Sequence, residues 1–146
     1  MTTNHKFFLN LAFQIAEKNL GQTGHNPSVG SIVVKNKSVI SSGVTSINGR
    51  PHAEFNALNK TNNAVGATLY TTLEPCTHYG KTPPCTKNII KSGISELIYS
   101  MEDIDKRVKG KSFKILSSKK IKVKKGLLKE DAKDLYDSYI KNRTSK

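Results

Sequence analysis

SIVVKNKSVISSGVTSINGRPHAEFNALNK, residues 31–60, holds the signals that decide the fold. Residues 31–35 and 38–42 are β-rich runs joined at Asn36-Lys37, which reads as a hairpin. Residues 52–60 then carry Ala53, Ala57 and Leu58 at helical spacing. A hairpin that runs into a helix opens a mixed sheet rather than a purely parallel one. On the N-terminal side, residues 4–19 place Phe8, Leu11, Ala12, Ile15 and Ala16 on one helical face, closed by Gly21 and Gly24. On the C-terminal side, 68–72 reads as a strand, 86–92 as a short helix ended by Gly93, and 96–100 as a strand. Residues 112–118 are helical, 121–125 extended, and 128–142 helical with Leu128, Ala132, Leu135, Tyr136 and Tyr139 on one side. The order α-β-β-α-β-α-β-α-β-α predicts an α/β fold of three layers, α/β/α. Its core is a mixed five-stranded sheet with helices on both faces. No repeat, low-complexity tract or linker divides the chain, so residues 1–146 read as one domain, long enough for a single core.

Bulk properties narrow the function classes. The apolar runs at 32–34 and 89–90 are far too short to cross a membrane. No signal-peptide pattern is present, because Asn10 and Gln14 interrupt residues 7–15, and a soluble cytoplasmic protein is expected. The formal net charge is +13, which suits phosphate-bearing ligands. That charge is spread along the chain, with 119–125 the only dense run. General lysine richness therefore accounts for it better than a dedicated nucleic-acid surface. Base-stacking sites need aromatic side chains, and here there is no Trp and only scattered Tyr and Phe.

The chemistry lies in two fragments. Pro51-His52-Ala53-Glu54 is an H-x-E motif at a helix start. Glu74-Pro75-Cys76 and Pro83-Pro84-Cys85 supply two cysteines, the second opening the next helix. A reducing compartment disfavours a disulfide, so the pair reads as a metal loop. One His and two Cys on zinc leave one tetrahedral position for water, as catalytic zinc sites do. Glu54 stands two residues beyond His52, close enough to exchange protons there without ligating the metal. Together these fragments carry the zinc nucleobase deaminase signature. Either alone would be weak, since H-x-E recurs by chance and cytosolic cysteines are commonly just buried thiols. A structural zinc knuckle is the other metal reading, and His78 is its candidate fourth ligand. The eight residues 77–84 between the cysteines exceed the usual two. Pro83-Pro84 before a helix would stiffen the return of Cys85 to the metal.

Four segments resemble the deaminase domain of the bifunctional riboflavin-biosynthesis deaminase–reductase. They are Asn26-Pro27-Ser28-Val29-Gly30, Pro51-His52-Ala53-Glu54, Gly66-Ala67-Thr68-Leu69-Tyr70, and the run from Thr72-Leu73-Glu74-Pro75-Cys76 through Gly80-Lys81-Thr82-Pro83-Pro84-Cys85. The likeness runs in register from about residue 5 to 140. The resemblance implies a cytidine-deaminase-like fold and one Zn2+ per chain held by His52, Cys76 and Cys85. It implies hydrolytic removal of the 2-amino group of 2,5-diamino-6-ribosylamino-4(3H)-pyrimidinone 5′-phosphate. The products would be ammonia and 5-amino-6-ribosylaminouracil 5′-phosphate. Glu54 would protonate the ring nitrogen and then the departing amine. Asn26 would hydrogen-bond the substrate, Lys81 would meet its phosphate, and Asp103 and His78 are further candidates to face it.

Three departures surround the expected substrate rather than the metal. Thr45 stands where the family has a His. Asp103-Ile104-Asp105-Lys106 stands for Asp-Pro-Asn-Pro, and His25 for a Pro. His25 is a candidate to replace the ring lost at Thr45. They keep open a second reading, deamination of another free base or nucleotide, and behind it a tRNA base deaminase or an inactive zinc scaffold. The family's reductase domain is absent and no dinucleotide fingerprint occurs, which fits a stand-alone enzyme or a fragment, with a separate or fused reductase as partner. A homodimer is expected by fold analogy.

Overall fold

The computed structural model describes residues 4–77, 84–105 and 108–144. The opening hairpin forms as its sequence requires. Strands β1 (Gly30–Lys35) and β2 (Ser38–Val44) pair antiparallel. The two linking residues, Asn36 and Lys37, have φ of 52° and 65°. Positive φ at both central positions suits the right-handed strand twist. β3 (Thr68–Leu73) lies antiparallel to β1 on its other side. β4 (Glu96–Met101) and β5 (Lys122–Lys125) follow in parallel, in the order β2-β1-β3-β4-β5. The sheet is mixed and five-stranded, as its pattern implied. The dense lysine run forms the β5 edge, with Lys122, Lys124 and Lys125 exposed; charge on an edge strand blocks further strand pairing.

Alternation along the strands divides the core. Ile32, Val34, Tyr70 and Ile98 face one side, with Phe8, Leu9 and Ala12 of α1 (His5–Ala16) and Ala132 of α5 (Lys129–Leu135). Val33, Leu69, Leu97 and Tyr99 face the other. There they meet Ala57 of α2 (Ala53–Asn59), Ile89 of α3 (Cys85–Ser92) and Leu116 of α4 (Lys111–Ser118). The period of two along each strand thus gives three layers.

The C-terminal segment departs from the single helix expected over 128–142. Leu128 is left-handed, and the helix is interrupted at Tyr136 before α6 (Asp137–Thr144). The Tyr136 N–H still donates to Ala132 O and the Ile140 N–H to Tyr136 O, both at 2.9 Å, so the hydrogen-bond ladder continues across the break. The buried Tyr136 hydroxyl donates to Ser28 O at 3.0 Å and lies 2.5 Å from Thr72 Oγ1, anchoring the segment to the sheet. Among the described residues no helix is long and apolar enough to cross a membrane.

Candidate active site

The site gathers at the C-terminal ends of the parallel strands β3 and β4, where α/β sheets commonly bind ligands. His52 is the N-cap of α2, extended at φ −72°, ψ 162°, and Glu54 sits in that helix's first turn. α2 comes close to the sheet because β2 carries glycine at position 43. A Cβ there would lie 2.4 Å from Ala57 N and 2.5 Å from Ala53 O. Cys76 follows β3, and Cys85 is the first residue of α3 behind an extended Pro84 N-cap. The Thr86 N–H donates to Cys76 O at 3.2 Å and the Cys85 N–H to Cys76 Sγ at 3.1 Å, so the two cysteines are tied through backbone.

His52, Cys76 and Cys85 present ligand atoms that all lie within 4.8 Å of one another. His52 Nδ1 is 3.3 Å from Cys85 Sγ and 3.7 Å from Cys76 Sγ. A tetrahedral zinc with Zn–N near ~2.0 Å and Zn–S near ~2.3 Å separates N from S by roughly 3.5 Å, so the trio has the right span. Beside it Glu54 is 4% exposed, and its Oε1 is buried with no hydrogen-bond partner among the described residues. An orphaned buried carboxylate oxygen needs an explanation. A metal-site water is the natural one, and the donor set fits zinc.

The electrostatics suit that use. The hydrogen bond from Cys85, helped by His52 and opposed by burial, draws Cys76 down to about 4. The same bond and burial push Cys85 up. The bond to Cys76 raises His52 against burial. Burial lifts Glu54 to about 7, with His52 opposing it. A carboxyl near neutrality is well suited to moving protons in both directions.

A cavity of about 110 Å³ opens on these groups, lined by Asn26, Pro27, Val29, Thr45, Arg50, His52, Glu54, Leu73, Glu74, Cys76, Asp103, Asp105, Val108 and Tyr139. Ligand pockets usually span roughly 300–1,000 Å³. This one is the size of a ring.

The structure brings most of the expected site residues to this cavity. Asn26 is at the wall, but its Nδ2 donates to Gly49 O at 2.9 Å, so it also holds the turn before His52. Thr45 is 1% exposed and accepts from the Val29 N–H at 2.9 Å. Asp103 Oδ1 accepts from the Asp105 N–H at 3.0 Å and the Tyr139 hydroxyl at 2.9 Å. His25 lines a neighbouring surface groove rather than the wall formed by Thr45. His78 and Lys81 lie outside the described residues.

Two contributors carry no signal as site residues in the sequence, and a third was expected only through its backbone at the pocket edge. Arg50 is one, a lone basic residue before the motif. Tyr139 reads only as an apolar helical position. Glu74 shows only as an edge of the metal motif, yet its carboxylate is a clamp. Oε1 accepts from the N–H groups of Asp103 and Gly110, both at 3.1 Å. Oε2 accepts from Ser112 N–H at 3.2 Å and Ser112 Oγ at 2.7 Å. It ties the segment after β4 to the metal loop.

Comparison with known proteins agrees with this geometry. Residues 2–101 match the family model described as the cytidine and deoxycytidylate deaminase zinc-binding region. The riboflavin biosynthesis protein RibD of Bacillus amyloliquefaciens is 42% identical over 136 residues, covering 92% of this chain and 37% of that protein. The chain thus spans little more than a third of that relative's length. A diaminohydroxyphosphoribosylamino-pyrimidine deaminase of Buchnera aphidicola subsp. Schizaphis graminum is 39% identical, covering 93% of each. The solved RibD of Acinetobacter baumannii, form 2, superposes with a TM-score of 0.92 at 34% identity, over 97% of this chain and 40% of that one. With the zinc-competent trio and the three-layer sheet, these matches make the chain a member of the cytidine and deoxycytidylate deaminase zinc-binding family, in its riboflavin-biosynthesis branch.

Proposed function

We propose that this chain hydrolyses 2,5-diamino-6-ribosylamino-4(3H)-pyrimidinone 5′-phosphate to 5-amino-6-ribosylaminouracil 5′-phosphate and ammonia. The observation that carries the reading is the buried Glu54 Oε1, unpartnered among the described residues, beside His52 Nδ1 and the two cysteine sulfurs at a ring-sized cavity. The extent of the Buchnera match supports the choice of substrate. His52, Cys76 and Cys85 would hold the metal. Zinc, when bound, lowers the pKa of its water toward neutrality. Glu54 would accept the water proton and pass it to the ring nitrogen, then take the proton of the hydroxyl added at C2 and pass that one to the leaving amine. Burial favours its neutral form, which readies it to donate. Asn26, Thr45 and Asp103 would face the substrate ring and its substituents, with Lys81 proposed to bind the ribosyl phosphate and His78 as a further candidate contact.

The same proposal includes the protein's surroundings. A cytoplasmic location suits two free cysteines. A reductase, fused or separate, would take the product, as the Thermotoga maritima protein named for both activities suggests. A homodimer is expected by analogy of fold.

Ammonia release from the diaminopyrimidinone tests the reading. Glu54→Ala should lower turnover by at least about a hundredfold, with zinc content still near one per chain by metal analysis. Turnover of cytosine or guanine nucleotides, with none of the diaminopyrimidinone, would overturn the substrate. Undiminished turnover in Glu54→Ala would overturn the proton shuttle.

A further inference from the structure

We infer that Tyr139 is a positioning residue of this enzyme: its hydroxyl sets the Asp103 carboxylate at the cavity wall to receive an amino or hydroxyl donor of the pyrimidine substrate. The inference rests on the proposed deaminase reading and extends it to the C-terminal helix. Tyr139 and Asp103 are both half-buried and both line the cavity that exposes His52 and Glu54. They lie 36 positions apart in sequence and are joined by one hydrogen bond of 2.9 Å.

Asp103 is restrained from three directions. Its N–H is held by Glu74 Oε1 at 3.1 Å. Its Oδ1 closes a turn with the Asp105 N–H at 3.0 Å and receives the Tyr139 hydroxyl. The first two contacts shape the backbone of the segment. The third reaches the carboxylate from α6, so it ties that group to a helix on another layer of the fold. A hydroxyl donating to an ionised carboxylate is among the stronger hydrogen bonds. The phenol is a good support for it. Its ring packs against the α1-side core, and α6 continues from Tyr136, which is tied to Ser28 and Thr72. An acceptor ordered before binding spares the substrate that ordering cost.

Tyr139→Phe removes the hydroxyl and keeps the ring, so it separates positioning from packing. We expect KM for the diaminopyrimidinone to rise about tenfold, the usual worth of one hydrogen bond to a charged group. The turnover number should stay within about twofold, because proton transfer by Glu54 is untouched. Zinc content and thermal midpoint should match wild type. In an Asp103→Ala background, Tyr139→Phe should raise KM no further. An unchanged KM in the single variant, or an equal rise in the Asp103→Ala background, would overturn the inference. Wild-type protein that releases no ammonia from the diaminopyrimidinone would overturn the reading beneath it, a failure seen without any variant.

Discussion

Replacing Glu74 by Gln perturbs the joint between the metal loop and the segment that walls the cavity. The carboxylate is 3% exposed and accepts four hydrogen bonds, two at each oxygen. A hydrogen bond to a charged group contributes about 1.5–3 kcal/mol, and a buried donor left unpaired costs about 1–3 kcal/mol. The amide of Gln keeps one oxygen, which can still serve Asp103 and Gly110. Its NH₂ then faces Ser112. The Ser112 hydroxyl can rotate and accept, but the Ser112 N–H meets a donor and loses its partner. One orphaned N–H plus the lost charge assistance puts the cost of Glu74→Gln at about 2–4 kcal/mol. Glu74→Ala strands all the donors and should exceed about 4 kcal/mol, in the range reserved for broken buried networks. Urea unfolding followed by far-UV circular dichroism measures both. Amide hydrogen exchange should show lost protection at Gly110 and Ser112 in the Gln variant, with the α1–β1 region unchanged. A Gln variant within about 0.5 kcal/mol of wild type, or one with unaltered exchange at those amides, would refute the clamp.

Gly43→Ala should push α2 off β2, since its Cβ would fall 2.4 Å from Ala57 N; we expect a loss of about 1–3 kcal/mol. Turnover should fall as well, because His52 and Glu54 ride on the same helix, and unchanged values in both assays would count against this coupling. Chelating the metal should lower the thermal midpoint, since zinc at a thousandfold over its Kd adds about 4 kcal/mol to the folded state. Cys85→Ser should show the low midpoint without chelator; a midpoint insensitive to proven metal loss would exclude the site from the protein's stability.

The layout was legible wherever the signal was local. Asn36-Lys37 between two β-rich runs is a complete statement of a hairpin, because the turn and both strands lie within a dozen residues. The metal trio was legible because its ligands sit at the ends of regular elements, where a short motif also sets direction: His52 as the cap of α2, Cys85 as the first residue of α3, and Cys76 just after β3. The break at Tyr136 was not legible. The apolar spacing runs through it, and its cause is a hydroxyl bonded to Ser28, 108 positions away.

The same division runs through the site itself, with consequences for how it can vary. The metal half needs only the starts of two neighbouring helices and the end of one strand. The substrate half is assembled from the loop before β1, the end of β2, the segment after β4, and α6. Its members meet through long-range bonds such as Glu74 to Ser112 and Tyr139 to Asp103. No periodicity or spacing encodes such bonds, since each depends on where the sheet brings the chain back. A departure such as Thr45, where a histidine was expected, is therefore read against its neighbours in the fold rather than in the sequence alone. In the fold it lines one cavity with Arg50, Asp103, Asp105 and Tyr139, three of which come from far along the chain. His25, the closer candidate in sequence, faces a different groove.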